Sequence, residues 1–253
     1  MARIERWFVL LVGVTAGAPA WGNGASGEPA AIVSALPNPS AALARYLAAG
    51  SQTASWQVAS VEVEASIPRL GKRGRLSAIR RLLPIGGPEY QVLETDGDRT
   101  VRQQVIARYL SADAEAAALP AASVAITPAN YRFRYLGVVA AGVPAYAFEI
   151  APRRKRAGLL RGQLWIDAST GIGRRLTGYL VKSPSVFVRR INITRDTLVC
   201  DGMAFERTTR VEIDTRLIGR AELTITERPY DSSSAGKIRA GSPELAMQHA
   251  EAR

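Results

Sequence analysis

The chain has 253 residues, 47% of them apolar, which is enough for one large all-β domain or two small ones with a sizeable core. A single cysteine excludes an intramolecular disulfide, and a single histidine, His249 near the C-terminus, argues against a Ser-His-Asp triad, a Cys-His dyad or a histidine-based metal site in the folded part. The formal net charge of +11 calls for anionic partners, yet no helix-turn-helix, zinc-ligand or RNA-binding signature points to nucleic acid.

The N-terminus carries Arg3 and Arg6, an apolar run from Trp7 to Val14, then Ala18-Pro19-Ala20. That is the charged head, short apolar core and small-residue cleavage site of a secretory signal. The run is shorter than the about 20 residues a membrane-spanning helix needs. Export with cleavage after Ala20 is expected, and no cysteine follows that site to accept a lipid anchor. Loss of residues 1–20 removes Arg3, Glu5 and Arg6 and leaves 31 basic against 21 acidic residues. Residues 21–39, rich in Gly, Ala, Pro and Asn, read as a flexible leader.

A short helix follows, with Ser40 as expected N-cap, Leu43 and Leu47 four apart and Gly50 as its stop. The period then changes to two. Val61, Val63, Ala65 and Ile67 alternate with Ser60, Glu62, Glu64 and Ser66, which places the two sets on opposite faces of a strand. Residues 69–81 hold Arg69, Lys72, Arg73, Arg75, Arg80 and Arg81 without an acid, and Gly71 and Gly74 mark a hairpin bend. "PEYQVLET" is the next strand, closed by "DGD" at 96–98. One amphipathic helix interrupts the ribbons over 99–119, its stripe formed by Val101, Val105, Tyr109, Ala112 and Ala116.

From residue 130 onward the chain alternates almost without interruption. Tyr131, Phe133 and Tyr135 share a face; Tyr146, Phe148 and Ile150 share the next; Leu160, Leu164 and Ile166 oppose Arg161, Gln163, Trp165 and Asp167. Val211, Ile213 and Leu217, then Ala221, Leu223 and Ile225, complete the series. Nine or ten alternating strands joined by short turns make an antiparallel meander. The tail, 231–253, is polar, rich in small residues and expected to be disordered. Cys200 ends an apolar run and is expected to be a small buried hydrophobe.

The expected fold is therefore mainly β with α, an α+β domain over 40–230. So wide a sheet curls, which gives a strongly curved antiparallel half-barrel with helices over its concave face and a groove between sheet and helix. This order of elements, and the segment running from Tyr146 through Trp165-Ile166-Asp167 to Thr170-Gly171, resembles the bacterial periplasmic lipoprotein-carrier superfamily, LolA/LolB-like. The resemblance implies a non-enzymatic periplasmic protein that holds a lipid, or the acyl chains of a lipidated protein, for transfer toward the outer membrane. No cofactor and no metal are expected. A non-enzymatic envelope interaction or stress-sensing module of the same fold is the alternative.

The residues expected to line such a cavity are Val61, Val63, Ile67, Tyr131, Phe133, Tyr135, Tyr146, Phe148, Ile150, Leu164 and Ile166. Aromatic and aliphatic lining suits an apolar pocket, and the same residues serve equally as ordinary core. Lys72, Arg73, Arg75, Arg153, Arg154, Lys155 and Arg156 lie in basic bends that either stay solvated or meet an anionic membrane surface. An inner- or outer-membrane protein is a further possible partner. Glu62 and Glu64 share one strand face and are expected to be solvated rather than a catalytic pair. "GKRGR" has neither the spacing nor the following helix of a phosphate loop.

Overall fold

A computed structural model of the chain describes residues 38–49, 56–83, 87–117, 120–139, 143–183, 186–216 and 219–230. The expected signal segment, leader residues 21–37, Gly50, Leu217, His249 and the tail lie outside them. The alternating segments become ten strands: β1 (Val58–Ile67), β2 (Lys72–Leu83), β3 (Gly87–Gly97), β4 (Tyr131–Val139), β5 (Ala145–Pro152), β6 (Leu160–Asp167), β7 (Gly173–Leu180), β8 (Val188–Cys200), β9 (Met203–Thr215) and β10 (Arg220–Pro229). All pair antiparallel in one sheet, ordered β3-β2-β1-β10-β9-β8-β7-β6-β5-β4. Only β1 with β10 is a non-sequential neighbour pair. β3 and β4 are the two edges, so the sheet is not closed.

Register fixes which residues share the inner face. Thr95, Leu76, Val63, Ile225, Thr209, Arg195, Leu176, Leu164, Phe148 and Tyr135 form one cross-strand row through all ten strands. A bulge between Tyr135 and Gly137 returns Val138 to this face, opposite Tyr146. The inward series on β1, β9 and β10 match the sequence expectation, with Val61, Val63, Val211, Ile213, Leu223 and Ile225 all buried.

Helix α1 (Pro39–Ala48) starts two residues earlier than expected. Its N-cap is Asn38, whose Oδ1 accepts from the Ser40 amide at 2.8 Å, and Pro39 opens the first turn with its fixed φ. Ala42 and Tyr46 form its buried face, while Leu43 and Leu47 are half-buried. The second helix, α2, runs over 99–117. It is α-helical in Arg99–Val101, π-helical in Arg102–Ile106 and α-helical again in Ala107–Ala117. Asp98 caps it, accepting from the Thr100 and Val101 amides. The π turn brings Ile106 onto the buried face beside Val105. All five residues of the expected stripe are buried.

The two helices organise two core clusters on the same sheet face. Val101, Val105, Ile106 and Tyr109 of α2 join one buried cluster with residues of β1, β2, β8, β9 and β10. Ala42 and Tyr46 of α1 pack on β4, β5 and β6.

Three expectations are corrected. Gly74 lies inside β2, not in the bend, which is the turn at Pro68–Gly71; a side chain at Gly74 would press on Val101 of α2. Cys200 is exposed, because the β8–β9 hairpin projects past its neighbours at that end. Asp167 was expected on the outer face with Trp165 but is 2% exposed. It turns in at the end of β6 and accepts from Ser169 N, Ser169 Oγ, Thr170 N and Arg174 Nη1. Burial pushes its carboxyl up, but the hydrogen bonds from Ser169, Thr170 and Arg174 win and hold it at about 2. This turn is also the seat of α1. Arg45 donates to the Ala168 carbonyl at 2.9 Å, and Gly171, at φ +78°, leaves no room for a Cβ against Arg45.

Candidate functional site

The candidate site is the contact between the inner sheet face and α2, together with the rims that border it. Nine of the eleven apolar residues expected to line a cavity are at most 3% exposed. Val61, Val63 and Ile67 lie beneath α2. Tyr131, Tyr146, Phe148, Ile150, Leu164 and Ile166 belong to the cluster around α1. Phe133 is half-buried against that cluster, and Tyr135 is 45% exposed. All eleven thus face inward, but the structure divides them between two clusters instead of gathering them around one open pocket. Inner-face apolar surface stays exposed near the open edges: Tyr135 and Val138 on β4 and Val92 on β3. The Tyr135 ring stands 5.6 Å from Phe148 and 6.0 Å from Tyr146, an aromatic flank leading inward.

Beneath the C-terminal half of α2 the inner face is polar, and the sequence reading missed this. Arg80 is fully buried and donates from Nη1 to Glu227 Oε1 at 2.5 Å. Arg207 donates to the other Glu227 oxygen at 3.4 Å, and its guanidinium lies 5.4 Å from the centre of the Trp56 ring. From α2, Asp113 accepts from the Tyr90 hydroxyl at 2.6 Å. Among the described residues, Arg80 Nε and Nη2 and Asp113 Oδ1 have no hydrogen-bond partner.

Burial pushes the Asp113 carboxyl up to about 6, against Tyr90 and Arg80, which pull it down. Burial, reinforced by nearby Arg195, pulls Arg207 down to about 10, against Glu227, so it stays charged at neutral pH. Burial also raises the Tyr90 and Tyr109 hydroxyls far out of the physiological range. The signal that could have found this cluster is register. Arg80 follows Leu76 and Ala78, Arg207 precedes Thr209 and Val211, and Glu227 follows Leu223 and Ile225, each in phase with its inward series.

The basic bends are less free than their sequence suggests. Lys72 is paired with Asp98 at 3.2 Å and Arg75 with Glu62 at 3.5 Å. Arg153 donates to the Pro128 carbonyl and Arg156 to Asn130 Oδ1. Arg73, Arg154 and Lys155 are exposed, with no ion pair or side-chain hydrogen bond among the described residues. On the outer face, Glu64, Arg73, Arg75, Asp96 and Glu222 border a groove of about 400 Å³ that mixes both signs of charge. No cluster of three or more metal-ligating side chains occurs among the described residues.

No family model and no curated protein matches the chain. Two solved structures do. One is a DUF1329 family protein from Desulfovibrio piger, 10% identical, aligned over 76% of this chain and 93% of that one with a TM-score of 0.33. The other is MucB, 13% identical, over 79% of this chain and 95% of that one with a TM-score of 0.26.

Proposed function

We propose that the chain is an exported, periplasmic, non-enzymatic binding protein that holds an acyl chain of a lipid or lipidated protein between the inner sheet face and α2, for transfer toward the outer membrane. The observation that carries this reading is an apolar inner face spread over an open ten-stranded sheet, covered by separate helices and left exposed at its edges. Apolar burial supplies about 25 cal/mol per Å², so replacing the apolar contacts of α2 with those of a hydrocarbon chain is close to an even exchange, while opening gives up the Tyr90–Asp113 hydrogen bond and returns Asp113 to water. Such an exchange gives reversible loading.

Native mass spectrometry of protein purified from an expressing envelope, paired with organic extraction, tests the proposal. The expected result is an adduct in the lipid mass range that an organic extract recovers. Adduct-free spectra from repeated preparations sink it.

The second reading is a sensing or assembly module with the same fold and no cargo. It is favoured by the nine inward residues that are already packed at 3% exposure or less. It predicts a stable protein partner and clean extracts. Replacing Arg153, Arg154, Lys155 and Arg156 by Glu before a periplasmic pull-down tests whether that partner docks on the basic bend.

A further inference from the structure

The meander sends its connections alternately to two ends of the sheet, and the sequence loads those ends very differently. At one end lie the β1–β2, β5–β6, β7–β8 and β9–β10 connections, with described residues 68–71, 153–159, 181–183, 186–187, 216 and 219. Together they contain Arg69, Arg153, Arg154, Lys155, Arg156, Lys182 and Arg216 and no acid. At the other end the described connection residues 143–144, 168–172 and 201–202 contain no Lys or Arg and one acid, Asp201. Two carboxylates at this end of the sheet, Asp98 and Asp214, are already paired with Lys72 and Arg220.

The same cationic end exposes large apolar side chains at its tips. Leu70 is 51% exposed, Val186 76% and Phe187 44%. Solvated loops that merely keep a protein soluble do not need this segregation of charge, and the exposed apolar side chains, which the opposite end also carries at Leu83, Val143 and Met203, coincide with cations only here. A soluble polyanion would use the cations but leave Leu70, Val186 and Phe187 in water. Cations and apolar tips at the same end of the sheet match a bilayer surface, where basic side chains meet anionic headgroups and apolar ones enter the boundary with the acyl layer.

We infer that this end of the sheet docks onto an anionic lipid bilayer, with Leu70, Val186 and Phe187 entering the headgroup layer and Arg154 and Lys155 contacting phosphates. The surface is separate from the inner face, so docking stands or falls independently of cargo. A protein that carries no lipid but binds vesicles ends the carrier reading and leaves this one intact.

The test is sedimentation of the purified chain with vesicles of phosphatidylcholine alone and with phosphatidylglycerol added. The wild type should bind the anionic vesicles and be released by high salt. Arg154→Glu with Lys155→Glu should weaken binding by at least about tenfold. Val186→Ser with Phe187→Ser should weaken it and make the remainder more salt-sensitive. Met203→Ser, at the opposite end and 70% exposed, should change nothing.

Thermal unfolding of each variant separates lost docking from lost fold. If the serine pair unfolds early, Leu70→Ser supplies the apolar arm. Equal binding to neutral vesicles, equal loss in Met203→Ser, or indifference to the charge reversal overturns the proposal. So does capture by immobilised heparin without any vesicle binding, which assigns the surface to a soluble polyanion.

Discussion

The buried ion cluster shows how much the environment of one side chain decides. Glu227 is shared by two guanidinium groups that are at most 3% exposed, whereas Glu149 pairs with Arg134 and Arg161 at the surface. Removing one member of a buried ion pair leaves a charge without compensation and costs about 3–5 kcal/mol; an exposed pair is worth about 1 kcal/mol or less. Urea unfolding should therefore place Glu227→Ala well below the wild type and Glu149→Ala close to it, and equal losses would show that the inner cluster is wet.

Asp113 adds a dependence on pH. Its folded-state pKa, about 6, lies above the ordinary carboxylate value, so the folded protein binds this proton more tightly than the unfolded chain. The stability this provides is greatest below the ordinary carboxylate pKa and is lost as pH rises from about 4 through 6, by at most about 3 kcal/mol. Asp113→Asn, which keeps an acceptor for Tyr90, should be more stable than the wild type at pH 8 and lose that advantage at pH 4.5. An unchanged difference between the two pH values would refute it. Asp167 has the opposite sign: its carboxyl, held at about 2, stabilises the α1 seat above the ordinary carboxylate range and loses that effect as pH falls toward 2.

Among the elements, the strands were legible because alternation is a local property. One face of each had to be apolar, and Val61, Val63, Leu223 and Ile225 declare it. Less legible was whatever depends on a partner far along the chain. Arg80 finds Glu227 only because β1 pairs with β2 on one side and β10 on the other. The closeness of two strands is likewise invisible in sequence. Gly162 on β6 faces Gly178 on β7, and a Cβ on either would stand under 2.5 Å from the opposite strand's carbonyl oxygen. These glycines permit a backbone approach that no other residue allows. Gly162→Ala and Gly178→Ala should each cost about 2 kcal/mol or more by forcing the strands apart. Ala substitution at Gly202, in the open β8–β9 turn, meets nothing closer than 4.0 Å and costs only what its φ of +73° imposes. Losses at Gly162 and Gly178 no larger than at Gly202 would mean that the two strands part at little cost.

For the whole molecule, the decisive question is whether α2 leaves the sheet. The sequence placed an amphipathic helix over something apolar, but it did not reveal the polar fastening beneath the helix's second half, because Tyr90 and Asp113 become neighbours only when α2 folds back over β3. The fastening holds the end of the helix farther from its Asp98 cap. Tyr90→Phe removes the one donor that Asp113 has among the described hydrogen bonds and leaves a buried carboxyl with both oxygens unpartnered, a penalty of about 1–3 kcal/mol. That penalty should fall on the closed arrangement alone, because an open α2 exposes Asp113 to water. The variant should show faster amide exchange over 107–117 with unchanged protection in β1 and β10, and quicker uptake of a fluorescent fatty acid. Quicker exchange without quicker uptake would mean that α2 opens onto nothing an acyl chain can enter, and the sensing or assembly reading would then take the place of the carrier one.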